Sequence, residues 1–229
     1  MSGVETTLGG AREQFPETVW SSAVSAAEPA ALDRFLADYW RPVYRFIRTA
    51  GRASIEDAKD LTQDFFRYLI EGDLLARYRA EKGRFRSFLK GIPRNFLSQE
   101  RRDAAAQKRG GGRILVPLDT AGLEADREGL TPEEAFDRQW AADVLTQSLA
   151  DLRRDLPPET LRVYEAYELA SPQPTYGELA RARGLTEHQV KGHLDQARAR
   201  LEQIVRGRLA RGVSSPRELA DEMNELFAG

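Results

Sequence analysis

Apolar residues return at three- and four-residue steps along most of this chain, the spacing that keeps one face of an α-helix dry. Leu32, Phe35, Leu36, Tyr39, Val43, Phe46 and Ile47 form one such stripe. Ala58, Leu61, Phe65, Leu69 and Ile70 form a second after Gly51, and Phe136, Trp140, Val144, Leu145, Leu149 and Leu152 form another, stopped by Pro157-Pro158. Valine and isoleucine never alternate long enough to build a strand, so the expected fold class is all-α. Pro42 falls inside the first stripe and predicts a kink or a restart there. Gly83, Gly91 and Pro93 divide the next region into a third and a fourth helical segment.

Gly110-Gly111-Gly112 is followed by RILVPLDTAGLEADREG, which reads as a flexible acidic linker. Thr131-Pro132-Glu133-Glu134 then opens a helix, with Thr131 as N-cap, proline at the first helical position and carboxylates facing the positive end of the dipole. The expected organisation is two helical domains, residues 15–109 and 131–211, joined by the linker 110–130, with a helical extension over 212–229. In that extension SSPRELADEMNELF reads as a capped amphipathic helix, with Leu219, Met223, Leu226 and Phe227 on its apolar face.

The net charge of −2 hides a strong partition. Residues 77–113 carry 12 basic and 3 acidic side chains, a net of +9, whereas residues 114–158 carry 4 against 10, a net of −6. Such an island invites a polyanion. Within it Tyr78, Phe85, Phe88 and Phe96 alternate with Arg77, Arg79, Lys82, Arg84, Arg86, Lys90 and Arg94. Charge that follows a backbone and rings that receive unstacked bases is how single-stranded nucleic acid is held. The same rings are equally suited to a core, which leaves only the arginines to meet DNA. Asn95 offers an amide that can read a base edge.

Residues 176–195, YGELARARGLTEHQVKGHLD, fit a helix-turn-helix. Ala180 is small where two helices touch, Gly184 suits a left-handed turn, and Val190 anchors the second helix. Thr186 and Gln189 form a capping box. The opposite face carries His188, Gln189, Lys191, His193 and Gln196, donors suited to bases and phosphates.

DLTQDFFRYL (60–69), FRSFLKGIPRNFLSQERR (85–102) and the helix-turn-helix segment, in that order, resemble RNA polymerase sigma factors of the extracytoplasmic-function type, group 4 of the sigma-70 family. The resemblance spans about residues 30–208. It implies a promoter-specificity subunit in transcription initiation, whose first domain is region 2-like and whose second is region 4-like. The first would bind the clamp of core RNA polymerase through Asp57, Asp60, Gln63 and Asp64. It would melt the minus-ten element through Arg84, Arg86, Lys90, Arg94, Asn95, Phe96, Arg101 and Arg102, with Lys108 and Arg109 on the same duplex-facing helix. The second would read the minus-thirty-five element through Thr186, His188, Gln189, Lys191 and His193, and meet the polymerase flap. Promoter DNA is then met both as duplex and as melted single strand.

Some relatives in that family are switched by anti-sigma factors and others by Ser/Thr kinases. Thr62, in the middle of the clamp helix, is the candidate phosphorylation site, and a structural threonine is the alternative. The competing function is a stand-alone helix-turn-helix regulator that binds duplex DNA without polymerase. With no cysteine and only two histidines, both in the second helix of the pair, no triad or metal cluster is evident, so neither enzyme activity nor a cofactor or metal is expected. No apolar run is long enough for a membrane span and no signal peptide opens the chain, so a cytoplasmic location is expected.

Overall fold

The computed structural model describes residues 29–79, 82–110 and 129–227, and the described residues form eight α-helices and no strand. They are α1 (Pro29–Gly51), α2 (Ile55–Glu71), α3 (Phe85–Gly110), α4 (Pro132–Asp155), α5 (Pro158–Glu168), α6 (Tyr176–Arg183), α7 (Glu187–Leu209) and α8 (Pro216–Phe227). Short 3₁₀ turns, Leu75–Arg77 and Ala210–Gly212, connect α2 to α3 and α7 to α8. Most of the acidic linker lies outside the described residues, as do residues 15–28 of the expected first domain.

Helix α1 is the central element. Its Phe35, Tyr39, Val43, Phe46 and Ile47 are buried against Phe65 and Leu69 of α2 and Phe85 and Leu89 of α3. Aromatic edges set the spacing: Phe35 meets Phe85 at 6.0 Å and Phe65 meets Phe96 at 5.7 Å, both near-perpendicular, a geometry that favours ring pairs over face-to-face contact. The same core continues into the second half of the chain through Phe136 and Trp140 of α4, Val205 and Leu209 of α7, and Leu219 and Leu226 of α8. Ion pairs and hydrogen bonds reinforce this junction, with Arg41 to Asp143 at 3.1 Å and Arg45 Nε donating to Gln139 at 3.2 Å.

Two expected helix breaks are corrected, the restart at Pro42 and the division at Pro93. Pro42 lies within α1 and Pro93 within α3, and neither ends its helix. An interior proline costs about 3 kcal/mol through the lost hydrogen bond and ring clash. Both prolines are buried, so apolar contact recovers part of that loss. The expected break at Gly91 and Pro93 is therefore absent, and α3 runs as one helix of 26 residues, whereas Gly83 lies before its start at φ 119°. Ile70, expected on the apolar face of α2, is instead 42% exposed at the end of that helix.

The start of α4 is built as its sequence requires. Thr131 Oγ1 accepts from the Glu134 amide at 3.3 Å while Glu134 reaches back to the Thr131 amide at 2.7 Å. Thr175–Glu178 and Thr186–Gln189 repeat this reciprocal cap at α6 and α7. Between those two helices Gly184 adopts φ 66°, ψ 31°, and Leu185 N donates to the Ala180 carbonyl at 2.9 Å. Val163, Leu179, Ala180, Val190 and Leu194 form the small core beneath this turn.

A β-carbon on Gly184 would meet nothing within 4 Å, so only the backbone conformation opposes a side chain there. Gly184→Ala should lower stability by about 1–2 kcal/mol. Gly91→Ala, inside α3 with open space around it, should raise stability by up to about 1 kcal/mol. Urea denaturation of the two variants checks both signs.

Candidate nucleic-acid interface

Residues 85–110 of the basic island fold as α3, and the island's two chemistries part company. Phe85 and Phe96 are buried, Tyr78 is buried beside them, and Phe88 packs half-buried against the same cluster. Phe96 leans on Tyr68 at 5.5 Å as well as on Phe65. Its expected role at DNA is corrected: a ring locked in the core has no face to offer a base.

The cations divide again. Arg86 is itself buried, with its guanidinium 4.1 Å over the Trp140 ring. It pairs with Asp137 at 2.6 Å, Glu222 at 2.8 Å and Glu225. Arg84 meets Glu222 at 3.3 Å and also Glu225. Lys90 reaches Asp137 at 2.7 Å, and Arg94 pairs with Glu133. These four side chains, expected to face DNA, are instead engaged by carboxylates of α4 and α8.

Electrostatics follow the burial. Desolvation opposes the charge on Arg86, yet the Glu222 and Asp137 carboxylates outweigh it and hold its pKa above the usual arginine value. Burial pushes the Glu222 carboxyl up, against the lowering pull of Arg86 and Arg84. The hydrogen bond from Arg84 holds the Glu225 carboxyl down.

Asn95, Arg101 and Arg102 remain exposed on α3. Arg101 donates to the Ala50 carbonyl at 3.0 Å, and Arg102 to the Ser98 carbonyl at 3.2 Å. Among the described residues no carboxylate pairs with either guanidinium. The side chains of Lys108 and Arg109 lie outside the described residues.

On α2, Asp57, Asp60 and Gln63 are exposed and Asp64 is half-buried. Asp57 belongs partly to the helix cap, since its amide donates to Ser54 Oγ at 3.1 Å and its carboxylate accepts from that hydroxyl at 2.7 Å. Asp64 pairs with Arg67 at 2.8 Å. Asp60 and Gln63 have no side-chain partner among the described residues.

Thr62 is on the other side of this helix. It is fully buried, and its Oγ1 donates to the Ala58 carbonyl at 2.6 Å. The expectation of a phosphorylation switch is corrected accordingly, because in this fold the hydroxyl is out of a kinase's reach. Its spacing gave the signal: Thr62 follows Ala58 by four residues and precedes Phe65 by three, which puts it on the apolar stripe.

In the α6–α7 pair, Thr186, His188, Gln189 and Lys191 are exposed. Gln189 Oε1 accepts from the Thr186 amide at 2.9 Å, so its acceptor is used in the cap and its amide nitrogen is left to act as a donor. His193 departs from the expected row. Its Nδ1 is hydrogen-bonded to Thr160 at 2.9 Å, turned toward α5. No family model matches this chain, and no curated protein matches it either.

Sequence spacing missed the acidic partners, Glu133, Asp137, Glu222 and Glu225. For Glu133 and Asp137 the charge partition contained a signal, a net −6 segment directly after a net +9 one, whereas Glu222 and Glu225 lie in residues 159–229, where 10 basic and 11 acidic side chains nearly balance. Among the described residues no group of histidines and carboxylates could hold a metal ion, and no helix is long and apolar enough to cross a membrane.

Thr62→Asp should destabilise the protein by about 3 kcal/mol or more, because it buries an unpaired charge. Thr62→Val, of similar shape, should cost no more than about 1.5 kcal/mol, since the Ala58 carbonyl keeps its helical backbone partner. Chemical denaturation of both variants distinguishes this structural role from a surface switch, which would tolerate both.

Proposed function

We propose that the protein is a promoter-specificity subunit of RNA polymerase, of the extracytoplasmic-function sigma type. The observation that carries the reading is the α6–α7 pair. Gly184 makes a left-handed turn, Ala180 and Val190 are buried under it, and the capped N-terminus of α7 presents Thr186, His188, Gln189 and Lys191 to solvent. A helix displayed in this way suits the major groove, with its first turns toward base edges. This is a helix-turn-helix in the functional sense, and the unit containing it would read the minus-thirty-five element.

The exposed acidic row of α2 supports the polymerase half of the reading. Asp60 and Gln63, with Asp57 and Asp64 beside them, form a surface suited to a basic partner such as the polymerase clamp. Exposed Asn95, Arg101 and Arg102 support contact with minus-ten DNA, the arginines through phosphates and the asparagine through a base. With Phe96 in the core, base capture rests on Asn95 rather than on stacking.

A stand-alone duplex-binding regulator is the second reading. One observation favours it: Arg84, Arg86, Lys90 and Arg94 are paired within the chain, while the α6–α7 face is open. Co-purification with core RNA polymerase, followed by run-off transcription, separates the two. The sigma reading expects retention on polymerase and promoter-dependent transcripts. Asp60→Lys, an exposed change that breaks no ion pair among the described residues, should weaken retention roughly tenfold by placing like charge against a basic partner. Duplex binding without any polymerase association would favour the stand-alone regulator.

A further inference from the structure

The positive face of α3 is occupied by anions of the chain itself. Glu222 and Glu225 of α8 hold Arg84 and Arg86, and the carboxylate oxygens occupy the places that phosphate oxygens take when guanidinium forks bind a nucleic-acid backbone. One guanidinium cannot saturate both sets of acceptors.

The hold of α8 is suited to release. The helix has 12 residues, about the length at which an isolated helix becomes marginal in water. It is fixed by Leu219 and Leu226 on its apolar side and by the two glutamates. Glu222 is buried at a desolvation cost that its arginine partners only partly offset. Glu225 is nearly half exposed, so an incoming polyanion can compete for its partners from solvent.

We infer that α8 is an intramolecular strap: Glu222 and Glu225 occupy Arg84 and Arg86, and these two arginines join the exposed Asn95, Arg101 and Arg102 in binding single-stranded DNA only when α8 is displaced. The inference rests on reading α3 as facing nucleic acid, and it requires no polymerase. It accounts for a strongly basic segment whose first part is paired with carboxylates of the same chain.

The test is binding of a fluorescein-labelled 20-nucleotide oligothymidine to the full chain at low salt, read by anisotropy. The same samples give hydrogen exchange over residues 216–227. The variant is Glu222→Gln with Glu225→Gln. The control, Glu71→Gln with Asp73→Asn, removes two negative charges at exposed positions elsewhere. The strap expects the glutamate variant to bind roughly tenfold tighter than the control, a change well beyond what equal net charge explains. It also expects oligonucleotide to speed exchange in α8 of the wild type.

Equal affinity of variant and control would overturn the strap, as would binding that leaves α8 protected, or no binding by either protein. If the double variant loses helicity by circular dichroism, Glu225→Lys against Asp73→Lys repeats the comparison at exposed positions, with the same outcomes. A strap that passes while the protein fails to associate with polymerase would leave this inference standing and remove the sigma reading.

Discussion

A guanidinium taken out of water costs several kcal/mol unless carboxylates and hydrogen bonds surround it. Arg86 is 6% exposed, and nearly everything that makes this tolerable comes from the other half of the chain. Asp137 and the Trp140 ring come from α4, and Glu222 and Glu225 from α8. The apolar surfaces of α1, α4, α7 and α8 meet around this group, so helices distant in sequence share one core. Burial of Arg86 ties α4 and α8 to α3, because moving either away strands a charge unless another anion takes the place of its carboxylates.

That constraint also divides the candidate interface. The part of α3 nearest Arg86 is closed by carboxylates, whereas Asn95, Arg101 and Arg102 further along remain open to solvent. The α6–α7 pair has its own small core of Val163, Leu179, Val190 and Leu194, so its exposed face does not depend on the ion-pair cluster. The acidic face of α2 is likewise independent of it. Three surfaces of different charge and accessibility thus stand on one all-helical frame, and the ion-pair cluster bears on only one of them.

What was legible in the sequence was local. The caps at Thr131 and Thr186 and the left-handed turn at Gly184 are decided within a few residues, and they appear where spacing puts them. The apolar stripes of α1 and α4 likewise lie inward. Pro42 and Pro93 misled because their cost is local while the burial that offsets it is tertiary. Phe96 misled because its arginine neighbours in sequence lie on another face of the helix. His193 is turned inward by Thr160, 33 residues away. The pairing of Arg86 with Glu222 joins residues 136 apart, and composition reveals the opposite charges without revealing which ones meet.

The most direct measurement is a double-mutant cycle on that pair: Arg86→Met, Glu222→Met and the double variant, each unfolded in urea with the full chain. Either single change leaves a buried charge short of its partner, whereas the double change removes both charges. The account therefore predicts that the double variant is less destabilised than the sum of the single changes, by about 2–3 kcal/mol. Additivity within about 0.5 kcal/mol would mean that the two side chains act independently, and would contradict the claim that this buried ion pair joins the basic helix to the last helix of the fold.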